Sequence, residues 1–411
     1  MRRGGYVRGA RVMDTTKIVT CTMVVVFFLM IRRTPRSTRF PYTTLFRSII
    51  SSLAPFLRCS TLLLLGISPL SRGHGLPLEQ LNLPAGFHLA VYAEFLDPRQ
   101  LALGPPGLIF AGSRRAGNLY ALIDADNDYE AEEVITIDSN LTLPSGIAFK
   151  DGDLYVGAVS KLLVYKDIKA NLHDKPEPEI LYDQLPDKSH HGWKYLKFGP
   201  DQALYFNIGA PCNTCLSDNP WFATIMRLDI DKRPLQPEIY AHGIRNTVGF
   251  AWHPATEELW FTDNGRDMLG DDVPACEINR ISSVGQHFGF PYIHQGDLPD
   301  PVFGAGKSAD DYTPPVLKLG AHVAPLGLVF YRGEMFPDQY GNTILWAEHG
   351  SWNRSEKSGY KVMMGRIGAD NRSITETSAF VEGWLQGQNN WGRSEERRVG
   401  KECRSRWSPY H

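Results

Sequence analysis

Cysteine is scarce in this chain: six among 411 residues, at positions 21, 59, 212, 215, 276 and 403. So few thiols exclude a small disulfide-stapled scaffold. Cys212-Asn-Thr-Cys215 is the lone C-x-x-C; no second pair offers zinc its other ligands, and no His follows to hold a c-type haem. In an oxidising compartment the pair reads as a local disulfide, with free thiols as the alternative, and Cys276 is expected to be a buried free thiol. Long apolar runs are missing too. None reaches the roughly 18 residues that a membrane-spanning helix needs, so no stable membrane insertion is expected. Sustained helical periodicity is also lacking, which leaves strands and turns.

Basic charge is concentrated at the two ends. Residues 30–48 and 393–411 can be encoded by opposite strands of one DNA sequence. Phe46-Arg47-Ser48, read as TTC-CGA-TCT, has the reverse complement for Arg393-Ser394-Glu395, and the pairing runs on to Met30 against His411, failing only at Arg39 and Thr34, each by a single base change. Both segments are therefore expected to be translated sequencing adapter and are set aside; basic tails for nucleic acid or membrane are the alternative. Residues 1–48 then form a non-native leader. Residues 49–75 carry Arg58 ahead of an apolar run at 62–65 and end in small and polar residues, a secretory signal pattern. A buried helix is the alternative there. The expected mature domain is 76–392, periplasmic or secreted. Without these pieces the net charge of −2 becomes about −16 on residues 76–392, which argues against nucleic acid or an anionic membrane as partner.

What the middle does have is Gly, Pro, Trp and Tyr arranged in a repeat. A short strand opening on Gly or an aromatic, a turn, and a second strand of aromatic and β-branched residues recur. Starts lie at Gly107, Gly146, Tyr195, Gly249 and Gly327, separated by 39, 49, 54 and 78 residues. A period near forty to fifty fits an all-β propeller, with an inserted loop at 299–315 lengthening the last interval. A two-sheet sandwich is the structural alternative.

The chemistry-bearing residues follow in order. His190 and His191 precede Gly-Trp-Lys-Tyr-Leu-Lys-Phe-Gly199-Pro-Asp201. Histidine titrates nearest neutrality and suits a general base, although alone such a pair is more often structural. Then come His242-Gly-Ile-Arg-Asn-Thr-Val-Gly-Phe250, the oxygen-rich Thr262-Asp-Asn-Gly-Arg-Asp267 and Gly270-Asp-Asp-Val-Pro-Ala-Cys-Glu-Ile-Asn279. Gly285-Gln-His-Phe-Gly-Phe-Pro291 and Ala347-Glu-His-Gly-Ser-Trp-Asn-Arg354 complete the set. The acidic spacing at 262–279 is not that of an EF-hand.

In this order, over 78–392, the chain resembles the soluble sugar dehydrogenases dependent on pyrroloquinoline quinone (PQQ), the glucose/sorbosone dehydrogenase family. The last motif looks like the sorbosone-type branch. The resemblance implies a six-bladed β-propeller with the last blade missing or incomplete. It implies His191 as catalytic base, His190 as its polar neighbour, and Arg245 with Asn246 against the quinone. A fixed guanidinium suits negative charge developing on quinone oxygens. It further implies a calcium ion on the main-chain carbonyls of Gly265 and Arg266. His349 and Arg354 stand where the glucose-type branch has a lysine for the cofactor. A glutamine of the glucose-type enzymes is not found near residues 141–145. The implied partners are an aldose or sorbosone-like sugar and an external electron acceptor. A calcium-dependent propeller lactonase and a non-catalytic binding propeller are the alternatives.

Overall fold

Apolar runs without polar alternation need burial on both faces. Leu108–Ser113, Leu204–Ile208, Leu259–Asp263 and Thr343–Glu348, each built on three or four consecutive apolar residues, are buried throughout. Each is the second strand of a four-stranded antiparallel sheet in a computed structural model that describes residues 76–394, together with the backbone of Met23–Met30. The expected signal segment and nearly all of the adapter segments lie outside the described residues.

Five such sheets follow one another as blades. Blade 1 holds Pro98–Leu103, Leu108–Ser113, Leu119–Ile123 and Glu133–Asp138. Blade 2 holds Gly146–Lys150, Asp153–Gly157, Leu162–Tyr165 and Glu179–Tyr182, and blade 3 holds Leu196–Phe198, Leu204–Ile208, Thr224–Leu228 and Glu238–His242. Blade 4 holds Phe250–Trp252, Leu259–Asp263, Ala275–Ile281 and Leu317–Ala321; blade 5 holds Pro325–Phe330, Thr343–Glu348, Lys361–Ile367 and Ile374–Val381. The only α-helix among the described residues is Ile168–Asn171. The expected all-β propeller is present. The expected insertion is present too, between the third and fourth strands of blade 4, with a small hairpin of Ile293–His294 and Leu298–Pro299.

Burial falls from the inner strands to the outer ones. Leu259–Asp263 is buried along its length, whereas Ile374–Val381 is mostly exposed until its last two residues. Apolar layers join successive blades: Phe110, Ile147 and Val156 between blades 1 and 2; Leu162 and Phe206 between blades 2 and 3. Tyr205, Phe250 and Phe261 join blades 3 and 4, and Trp260, Leu328 and Trp346 join blades 4 and 5. Strand His88–Leu96 pairs with Met23–Met30. Its Leu89 and Val91 pack on the blade 5 cluster and its Tyr92 and Phe95 on blade 1, so it lies between the first and fifth blades.

The repeat was out of step at its start. Gly107 opens the second strand of blade 1, not the first. First strands begin at 98, 146, 196, 250 and 325, intervals of 48, 50, 54 and 75. The strand Pro98–Leu103 escapes the aromatic pattern because it carries Arg99 and Gln100 into the interior. Gln100 is a buried tie among three blades: its Oε1 accepts from the amides of Ile147 and Leu196, and its Nε2 donates to the Leu196 carbonyl.

Candidate active site

The segments entering blades 3, 4 and 5 converge on one cleft of about 200 Å³. His191, Arg245, Asn246, Gly265 and His349 all line it, residues spread over nearly 160 positions of sequence. Arg99, Arg114, Trp193, Asp267, His322 and Trp352 line it as well. None of these six was singled out from the sequence. Arg99 sits in the strand whose pattern was missed; Trp193, Asp267 and Trp352 sit within the motif segments, and Arg114 and His322 lie outside them.

His191 enters on a left-handed residue, φ 49°, just ahead of blade 3. Gly209 faces it so closely that a Cβ there would fall 2.6 Å from the His191 Cβ, so only glycine fits. Nδ1 of His191 lies 2.9 Å from the Ala210 carbonyl, which can only accept, so this nitrogen carries the proton. Nε2 is then the unprotonated atom of the neutral ring. Burial, then the Arg245 charge, then His190 lower the His191 pKa to about 2. The ring is neutral across the working pH range. His190 packs its ring 4.1 Å from that of His191, and burial and Arg245 hold its pKa down too.

Arg245 is buried and fully engaged. Its guanidinium donates to the Asn213 carbonyl (2.9 Å), Asn213 Oδ1 (2.8 Å), the Asn264 carbonyl (3.1 Å) and Asp267 Oδ2 (3.2 Å). Asn213 sits inside the Cys212–Cys215 disulfide, so the staple read from the sequence exists and fixes the acceptor that orients Arg245. The amides of Arg245 and Asn246 donate to the two oxygens of Asp263. Burial raises Asp263 to about 6 against those bonds. Asn246 keeps a buried Oδ1 without a hydrogen-bond partner.

Gly265 borders a second, smaller cavity with Arg266, Asp263, Glu277 and His294. Burial, then the nearby Asp263, pushes Glu277 up to about 8. The Arg266 side chain is drawn the other way, into an ion pair with buried Asp300, which His294 also contacts at 2.8 Å. Asp300 belongs to the inserted loop, so the insertion braces the turn at 264–267. Cys276 is the buried free thiol expected, raised to about 11 by burial.

Arg354 does not reach the cleft lining. Its guanidinium bonds the Asp271 carbonyl and pairs with Asp272 at 3.2 Å. Asp271 and Asp272 are thus engaged with the 352–355 loop. His349 does line the cleft, with Arg393 Nη1 3.0 Å from its Nδ1. Positive charge in the cleft comes instead from Arg99, Arg114 and Arg245, against the single carboxylate of Asp267 among the lining residues. The Arg114 guanidinium lies 5.4 Å over the Trp193 ring.

Lys194, also unpredicted, lies beside this cleft. It is fully buried, donates 2.7 Å to the Gly192 carbonyl, and burial lowers it to about 7. Gly157 makes room for it, since a Cβ there would meet the Lys194 Cβ at 2.8 Å.

The molecule is thus a β-propeller whose inner strands and entry loops shape one cation-rich cleft. The sequence profile described as Glucose / Sorbosone dehydrogenase matches residues 156–348. A protein of Borreliella burgdorferi strain B31, itself of uncharacterized function, is 34% identical over 319 residues, 74% of this chain and 82% of that protein. This chain belongs to the glucose/sorbosone dehydrogenase family. Among solved structures, the PQQ domain of Coprinopsis cinerea pyranose dehydrogenase superposes with a TM-score of 0.63 at 18% identity, covering 76% of this chain and 87% of that one. The PQQ-bound aldose sugar dehydrogenase of Streptomyces coelicolor gives 0.53 at 19% identity, covering 77% and 87%. At such identities the likeness is one of fold.

Proposed function

We propose that the protein is a PQQ-dependent oxidoreductase acting on an aldose or sorbosone-like sugar, exported and delivering its electrons to an external acceptor. The observation that carries this reading is the neutral His191 ring, with Nε2 available, in a cleft that also holds Arg245. The residues fit the cofactor. PQQ is a planar tricarboxylate, and Arg99, Arg114 and Arg245 outnumber the one acid in the cleft. The buried, unpartnered Asn246 Oδ1 offers an acceptor to a ring N–H. Calcium would take oxygen ligands, and the carbonyls of Gly265 and Arg266 between the two cavities are the candidates.

Bound there, PQQ supplies the acceptor for the hydride released from the anomeric carbon. His191 Nε2 takes the proton of the anomeric hydroxyl, so that C1 becomes the carbonyl carbon of a lactone. The Ala210 carbonyl holds the His191 tautomer that can do this. Arg245, immobilised by Asn213, Asn264 and Asp267, stabilises negative charge without reorganising. In a six-position ring, strand His88–Leu96 would hold the sixth place. A propeller lactonase wants several inward carboxylates around one ion, and this cleft lining has one.

The test is dye-coupled oxidation of an aldose panel with calcium, with and without PQQ. PQQ-dependent turnover that falls about a thousandfold in kcat in His191→Ala supports the assignment. No turnover and no PQQ binding by a folded wild-type protein overturns it.

A further inference from the structure

The Cys212–Cys215 bridge encloses just Asn213 and Thr214, and Asn213 holds two neighbouring parts of the site at once. Its carbonyl accepts from Arg245 Nε at 2.9 Å, and its Oδ1 from Arg245 Nη2 at 2.8 Å. The same Oδ1 accepts from the Asp267 amide at 2.9 Å, and its Nδ2 donates to the Asp267 carbonyl at 3.0 Å. One residue thus ties the guanidinium to the turn at 264–267. Just upstream, Ala210 donates its amide to the Arg245 carbonyl, and its own carbonyl holds His191 Nδ1. The loop has few other ties. Among the described residues, 211–216 make no backbone–backbone hydrogen bond, and Thr214 Oγ1 is buried without a hydrogen-bond partner. A loop lacking such bonds keeps a conformational freedom that a cross-link removes.

We propose that Asn213 is a positioning residue for Arg245 and that the Cys212–Cys215 bond is its redox-sensitive catch. With the bond closed the cleft binds the quinone tightly; with the bond reduced the affinity falls. This rests on the PQQ reading of the cleft. Once Asn213 is released, Arg245 keeps the Asn264 carbonyl and Asp267 Oδ2 as acceptors. A guanidinium freed on one side closes on its carboxylate partner, and its charge is then turned away from an anionic ligand. Both cysteines are half-buried rather than enclosed, so a small dithiol reaches them. The step is thiol–disulfide exchange: the dithiol gives up two electrons and two protons, becomes a disulfide, and leaves Cys212 and Cys215 as thiols. Cys276, the remaining cysteine among the described residues, is buried and takes no part. Oxidation of the pair therefore completes the site, and an apoprotein kept in reducing surroundings loads the cofactor poorly.

The experiment titrates PQQ into the full-chain apoprotein with calcium, followed by fluorescence quenching, with circular dichroism to verify folding. Wild type is compared with the double variant Cys212→Ser/Cys215→Ser, with Asn213→Ala and with the triple variant. Wild type reduced by dithiothreitol, counted for thiols and desalted without oxygen, is measured beside them. Kd is expected to rise about tenfold in the double variant, in Asn213→Ala and in reduced wild type, to return on re-oxidation, and to rise no further in the triple variant. An unchanged Kd in the reduced wild type and the double variant overturns the catch. Effects that multiply to about a hundredfold in the triple variant overturn its action through Asn213. A second readout needs no cofactor: the slowly exchanging Nε–H signal of Arg245 in heteronuclear NMR spectra, expected in oxidised wild type and lost in the double variant and in Asn213→Ala. Its persistence in both overturns the positioning role. A folded wild type that binds no PQQ overturns the cofactor reading, and the Nε–H signal then decides the clamp by itself.

Discussion

The innermost strands of blades 1 and 4 hold corresponding places in their sheets and are built from opposite materials. Phe250–Trp252 in blade 4 is held by packing: Phe250 lies 4.8 Å from the Tyr195 ring and 5.9 Å from Trp252, with no solvent exposure. Pro98–Leu103 in blade 1 is held by polar ties, with Gln100 bonding two neighbouring blades and Arg99 lining the cleft. Apolar packing is non-directional and tolerates small shifts. A buried amide bridge is directional, so it fixes the register between blades, and it is costly when broken. The strand that serves the site has given up its apolar signature to do so.

Two substitutions break the comparison most sharply. Phe250→Ala should lower unfolding free energy by about 4 kcal/mol through transfer loss and cavity. Gln100→Leu should lower it by about 2–3 kcal/mol despite adding apolar surface, because two amides and a carbonyl are left unpaired. Chemical denaturation of both variants decides whether polar and apolar inner strands carry comparable weight; a neutral Gln100→Leu would refute the bridge. A smaller effect separates function from stability within the same strand. Arg99→Met should weaken PQQ binding about tenfold, seen by fluorescence titration, with the melting temperature nearly unchanged. Unchanged affinity would remove Arg99 from the cofactor site.

The smallest effect concerns Lys194. Its folded pKa, about 7, lies below its ordinary value, so between pH 7 and pH 10 the unfolded chain holds a proton that the folded chain has lost. Stability from this group therefore rises with pH across that window. Lys194→Met should flatten the rise in melting temperature between pH 7 and 10. A variant with the wild-type slope would show that Lys194 stays charged in the fold.

Much of the architecture was legible because propeller strands advertise themselves. Gly249-Phe-Ala-Trp, Gly146-Ile-Ala-Phe and Leu-Tyr-Phe at 204–206 are local patterns that burial on both faces demands. His191, Arg245, Asn246, Gly265 and His349 were singled out by the family resemblance, and the structure brings all five to one cleft. Arg354 was named because it stands where the glucose-type branch has its cofactor lysine, but the loop turns it toward Asp272. Arg99 and Arg114 lay outside every motif, and Lys194 and Trp352 sat within motifs without being singled out, since a lone cation or tryptophan has no period of its own.

The amino-acid sequence by itself carried the strand repeat, the disulfide loop and the family, because each is written in short local segments and in their order along the chain. Only the tertiary structure decided which charges meet in the cleft and which nitrogen of His191 is available. Those depend on how the packed blades place distant chain segments a few ångströms apart, and electrostatics and desolvation act at that distance in space, whatever the separation along the chain.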